Sequence, residues 1–186
     1  MKGFQRKNLA FSLCGLNCGL CPMHLNGYCP GCGGGEGNQS CSIAKCSLSH
    51  GKVEYCTQCD AYPCEKYADA DQFDCIVTTR NRFTHLARAK ELGIDYYNQE
   101  LSEKIGILNA LLSNFNAGRR KTFYCVAVNL LELDDLRFIM EQLDLVPEIS
   151  LLPIKERETH AVQLFQEMAH ARNIELKLRK KPKQKT

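Results

Sequence analysis

Apolar residues follow two different rhythms along this chain. From Glu65 onward they recur at helical spacing. RNRFTHLARAKELGI sets Phe83, Leu86, Ala87 and Lys90 on one face and ends at Gly93 followed by an apolar residue, which predicts a Schellman stop. YYNQELSEKIGILNALLSNF repeats Tyr97, Leu101, Ile105, Leu108 and Leu112, and Gly118 in FNAGRR breaks the run. KTFYCVAVNLL is ambiguous: its Tyr, Val and Phe content favours a strand, whereas Phe123, Val126, Ala127 and Leu130 fit a helical stripe. The helix is preferred. In LDDLRFIMEQL, Leu136, Ile139, Met140 and Leu143 form an i, i+3, i+4, i+7 set behind acidic residues suited to a helix N-terminus. The C-terminal part reads as an extended ISLLPI, a helix from Glu156 to Arg172, and an alternating strand carrying Ile174, Leu176 and Leu178. That predicts a small βαβ-like unit.

Residues 1–64 show none of this. They are poor in aliphatic periodicity and rich in Cys, Gly and Pro, so little regular structure and no good apolar core are expected. Metal coordination contributes folding free energy directly in such modules. The expected fold class is α+β: a Cys-rich metal-stabilised module over 1–64, then a mainly helical region over 65–186 that contains the βαβ-like unit.

Composition sharpens the contrast. Of twelve cysteines in 186 residues, ten fall between Cys14 and Cys64, while Cys75 and Cys125 stand apart. A disulfide framework would need export. Lys2, Arg6 and Lys7 precede an apolar patch, but Asn17 interrupts it after about eight residues, too few for a signal core. Leu13 is also too bulky to precede a lipidated Cys14. No run approaches the roughly 18 apolar residues of a membrane span. A cytoplasmic protein with reduced, metal-binding thiols is therefore expected. The formal charge of +3 is uneven: residues 172–186 carry seven Lys/Arg against one Glu, a local +6, so the rest is −3. A solvated terminus accounts for such a tail more simply than nucleic-acid binding does.

The thiols run Cys14-x3-Cys18-x2-Cys21, Cys29-x2-Cys32, Cys41-x4-Cys46, Cys56-x2-Cys59 and Cys64. A C-x2-C turn puts two sulfurs on one side, at the spacing of two corners of one coordination shell. Paired turns favour structural zinc, and Cys29, Cys32, Cys56 and Cys59 fit one such site. The compact run CGLNCGLCP instead has the look of a [4Fe–4S] ligand set. It also matches the cluster loop of radical S-adenosylmethionine enzymes, although Leu20 replaces the usual aromatic and GGGE at 33–36 follows too closely to end a second barrel strand. Ten thiols supply two four-thiolate sites with two left over, or a shared cluster. The Cys14, Cys18, Cys21 run and the Cys29/Cys32 pair are expected to feed two sites, each completed from residues 41–64. His24 and His50 could each replace a thiolate but read as exposed loop histidines.

CGLNCGLCP, CPGC, CSIAKC, YCTQCDAYPCEKY and FNAGRRKTFYCVAVNLL resemble the Cys-rich proteins of domain-of-unknown-function family 3795, with a looser likeness in IELKLRK. The resemblance implies a small prokaryotic metal-binding protein, carries no known reaction, and maps ligands onto Cys14, Cys18, Cys21, Cys29, Cys32, Cys46, Cys56, Cys59 and Cys64.

Three function classes follow. A zinc-stabilised binding or adaptor protein, with a protein or small-molecule partner, stands first. An iron–sulfur redox or maturation protein stands second. A thiol-dependent enzyme stands third: Cys125 lies near Arg119, Arg120 and Lys121, whose cations favour a thiolate, but its place on an apolar stripe marks it as a small hydrophobe. Arg119, Arg120 and Lys121 are also anion-binding candidates.

Overall fold

The computed structural model describes residues 3–35 and 41–182. Seven α-helices occur among them: α1 (Pro22–Leu25), α2 (Ser42–Ser49), α3 (Arg82–Glu91), α4 (Ile94–Asn114), α5 (Lys121–Leu130), α6 (Leu133–Asp144) and α7 (Ile154–Ala171). Short 3₁₀ turns occupy Cys18–Leu20, Cys56–Gln58, Glu65–Tyr67 and Ile149–Leu151. The extended pairing among the described residues is a single bridge between Phe11 and Asn17.

The α+β class and the C-terminal βαβ-like unit are therefore wrong. The helix expected from Glu156 to Arg172 is present as α7, but ISLLPI winds into the Ile149–Leu151 turn and residues 174–182 join no sheet. A strand exists only where a second strand completes its ladder. Here the backbone groups find other partners: Ile174 N–H donates to Ala169 O (2.8 Å), Arg179 N–H donates to the Asp74 carboxylate (2.8 Å) and Arg179 O accepts from Asp74 N–H (2.8 Å). The ambiguous KTFYCVAVNLL is helical as α5, and Tyr124 to Leu130 are all buried. A helix buried on every side tolerates β-branched residues because packing overrides their propensity.

The chain packs as two compact units, 1–101 with 178–186, and 102–177. Composition changes at residue 64, whereas packing divides the chain within α4. Unit 2 is aliphatic and aromatic. α6 packs on α7, and Tyr124, Phe165, Leu108, Leu111, Leu136, Ile139 and Leu143 are each 0–1% exposed. Tyr124 and Phe165 meet edge-on at 5.8 Å. Unit 1 has a smaller core in which Phe11 stacks on Tyr55 (5.4 Å) and meets Tyr97 at a tilt (4.5 Å). Buried polar groups interleave it: Tyr97 Oη donates to Asn17 Oδ1 (2.8 Å), and Asn8 Nδ2 donates to Tyr55 Oη (2.9 Å) and Asn98 Oδ1 (2.7 Å). Gly93, at φ +88°, turns the chain between α3 and α4 where a stop was expected.

Part of the tail is not a free solvated end. Arg179 is held by Asp74 and Asp71, and Arg172 by Asp135, which is 4% exposed. Lys183 and Lys185 lie outside the described residues.

Candidate thiolate metal centres

Two of the three C-x2-C segments form the same knuckle. Cys21 N–H donates to Cys18 O and Cys59 N–H donates to Cys56 O, both at 3.0 Å. The closing cysteines share one backbone conformation, φ −89°, ψ 130° at Cys21 and φ −93°, ψ 132° at Cys59. Gln58 stiffens the second knuckle by accepting from Glu54 N–H (2.9 Å) and Tyr55 N–H (3.0 Å). Cys29-x2-Cys32 behaves differently: Cys29 O is taken by the His24 ring (2.9 Å), and Cys32 N–H points at the Cys18 sulfur.

The knuckles gather the thiols into two groups, with Cys14 neighbouring both Cys18 and Cys32 of the first and Cys56 of the second. In the first, Cys18 is neighboured by Cys32, Cys14 and Cys21. Burial pushes the Cys18 thiol well above its ordinary range, and the surrounding thiols push it further. Burial likewise raises Cys21, against N–H donors from Met23 and His24, and Cys32, against Leu13 N–H and the Arg6 guanidinium. Arg6, 8% exposed, donates to Glu54 O, Asn8 O, Phe11 O and Cys32 O, and lies 5.1 Å above the Tyr55 ring. Its Nη2 sits 3.4 Å from Glu54 Oε1 without forming a hydrogen bond. Gly33 makes this approach possible: its φ is +87°, and a Cβ there would stand 2.8 Å from Arg6.

In the second group, Cys46 on α2, the Cys56/Cys59 knuckle and Cys64 line one cavity of about 30 Å³ together with His50, Tyr62 and Tyr67. Burial pushes Cys56 up to about 12; Cys14, Cys64 and Cys46 add to it, and Tyr67 opposes. The Tyr67 hydroxyl is buried without a partner of ordinary hydrogen-bond geometry, and the Cys56 sulfur is the acceptor within its reach. His50 Nδ1 stands 3.5 Å from Cys46 Sγ, and Lys66 lies at the rim.

Cys18, Cys21, Cys32 and Cys56 face the same chemistry. With no metal ion bound, burial favours their neutral form; a bound metal cation reverses that balance and takes the sulfur as thiolate. Among the described residues no three His, Cys, Asp or Glu side chains stand in a group that could hold a metal ion. A tetrahedral thiolate shell draws its sulfurs to about 3.8 Å from one another. Loading either group therefore requires its side chains to rotate inward.

The expected pairing of Cys29 and Cys32 with Cys56 and Cys59 is not what the packing assembles. Cys32 joins Cys14 and Cys18, Cys29 lies beside Cys21, and Cys56 and Cys59 face Cys46 and Cys64. Cys41 is exposed at the start of α2. Cys75, set apart by the sequence, approaches Cys21. None of the twelve cysteines is in a disulfide. Cys125 is 3% exposed on α5, in keeping with a packing role. Of the anion-binding candidates, Arg120 pairs with Glu158 (3.5 Å) and lies 6.0 Å from the Phe123 ring centroid, Lys121 opens α5, and Arg119 precedes them.

Sequence reasoning discounted His50, which lines the cavity, and missed Arg6 and Tyr67. Tyr67, three residues after Cys64 in a motif already recognised, carried the only available signal. No helix among the described residues is long and apolar enough to cross a membrane. No family model matches the chain, and neither a curated protein nor a solved structure matches it significantly, so the likeness to the Cys-rich family rests on its motifs.

Proposed function

We propose that this chain is a cytoplasmic metal-binding protein whose Cys-rich unit is held by thiolate-bound zinc, and that it acts as a binding or adaptor protein. The observation that carries this reading is the gathering of thiols into two groups within the unit that has least regular structure. Cys14, Cys18, Cys21 and Cys32 supply the first group and Cys46, Cys56, Cys59 and Cys64 the second. When bound, zinc would supply the cross-link that apolar packing does not. Closed four-thiolate sites leave no coordination position for a substrate, which argues for a structural metal and a role in binding a protein or small molecule. Buried Arg6 beside Cys32 would offset part of the −2 charge of a tetrathiolate zinc.

One observation favours a second reading. Three thiols of the first group, Cys14, Cys18 and Cys21, come from a single short run, and Cys18, Cys21 and Cys32 receive backbone N–H groups, the environment of an iron–sulfur cluster. Elemental analysis and an absorbance spectrum of anaerobically purified protein separate the two. Zinc in a colourless preparation supports the first reading, iron with visible charge-transfer bands supports the second, and a metal-free protein ends both.

A further inference from the structure

We infer that Cys46, Cys56, Cys59 and Cys64 bind one thiophilic divalent cation as a set, and that the Tyr67 hydroxyl is the donor that positions and stabilises the Cys56 thiolate. This rests on the metal-binding reading above and assigns it a ligand partition and a positioning residue.

Three features carry the inference. The four sulfur-bearing residues line one cavity of about 30 Å³, room for an ion or one water, and Cys46, Cys59 and Cys64 also line an open depression of about 550 Å³. Their backbone supports are independent of one another: Cys46 sits on α2, Cys56 and Cys59 share the Gln58-braced knuckle, and Cys64 starts the 3₁₀ turn that ends at Tyr67. The third feature is the buried Tyr67 hydroxyl, which reaches the Cys56 sulfur in a hydrogen bond of poor geometry. Tyr67 is 5% exposed, and its ring is wedged against Tyr62 (5.3 Å, edge-on) and Phe83 (5.3 Å), so the O–H cannot swing to solvent.

A neutral thiol is a poor acceptor, whereas a metal-bound thiolate is a charged one. Cation binding thus turns the weak Tyr67–Cys56 contact into a charge-assisted hydrogen bond for which the protein already holds the donor. Four M–S bonds form, four thiol protons leave to solvent, and the site carries a net −2. Outer hydrogen bonds of this kind orient ligands and tune the metal. Lys66 and His50 at the rim face the same charge.

Co²⁺ is the probe, added to the reduced full-length protein without oxygen. At sub-stoichiometric and then saturating Co²⁺, pulsed alkylation followed by peptide mapping should show Cys46, Cys56, Cys59 and Cys64 losing reactivity together. Protection of Cys56 and Cys59 in step with Cys29 and Cys32 overturns the partition and leaves metal binding standing; no Co²⁺ binding by the wild type overturns the metal reading itself. Tyr67→Phe keeps the ring and removes only the donor. It should preserve stoichiometry, weaken the second site on the order of tenfold and shift its sulfur-to-cobalt charge-transfer band. An unshifted band with unchanged affinity removes Tyr67 from the role, since a purely packing contribution survives in Phe.

Discussion

The two units solve one problem with different materials. Unit 2 buries Leu, Ile and aromatic side chains on helices whose backbone hydrogen bonds are internal, so apolar burial at about 25 cal/mol per Å² suffices to hold it. Unit 1 has short helices, knuckles and loops, and its interior mixes Phe11, Tyr55 and Tyr97 with Arg6, Asn17 and Ser12, flanked by half-buried thiols. Helices tolerate a generic apolar interior. A loop-built unit needs directed bonds, first hydrogen bonds and then, on the reading proposed, metal–sulfur bonds.

Metal removal should separate the units most sharply. Structural zinc in small thiolate modules carries apparent binding free energies of roughly 10–16 kcal/mol. A strong chelator under reducing conditions should therefore make the Cys-rich unit protease-sensitive, while far-UV circular dichroism keeps the helical signal of α5 to α7. Equal loss from both units would break the contrast.

Phe165→Ala tests it from the other side. Phe165 is 0% exposed against Phe123 and Tyr124, and its truncation should cost about 3–5 kcal/mol in denaturant unfolding of unit 2. Metal stoichiometry should not change.

Asp74 gives a smaller, pH-dependent effect confined to unit 1. Burial pushes its pKa up, but hydrogen bonds from Thr79 N–H, Arg179 N–H, the Arg179 guanidinium and the Thr79 hydroxyl outweigh that, with Arg80 3.8 Å away, and the carboxyl sits at about 2. Because the folded pKa lies below the unfolded one, the stabilisation is complete above pH about 4 and disappears as pH falls toward 2. The shift from 3.8 to about 2 corresponds to about 2 kcal/mol. Asp74→Ala should lose that amount at neutral pH, flatten the acid limb of the unfolding curve and speed proteolysis at Lys180 and Lys181.

Arg137 marks the lower end. It bridges Glu103 and Asp134 on an exposed face of unit 2. Arg137→Ala should leave the denaturation midpoint unchanged within error, as salt-screened surface pairs do.

The sequence by itself located α3, α4, α6 and α7 from their 3.6-residue apolar spacing, although the buried residues of α3 are Arg82, His85 and Leu86 while Ala87 and Lys90 of the expected face are exposed. Leu136, Ile139 and Leu143 are buried as their spacing requires, and KTFYCVAVNLL took the helical option. It also located the thiols and the loop character around them. Strand pairing was beyond it: Ile174, Leu176 and Leu178 alternate, yet alternation cannot supply the neighbour a ladder needs, and Asp74 captures Arg179 from 105 residues away. Thiol partition was equally out of reach. C-x2-C spacing specifies a turn, but which sulfurs meet depends on how loops fold back, as Cys32 beside Cys18 and Cys46 beside the Cys56/Cys59 knuckle show. Short-range periodicity is local physics written into neighbouring residues; the company kept by Cys32, Tyr67 and Arg6 is set by long-range closure, and only the tertiary structure decided it.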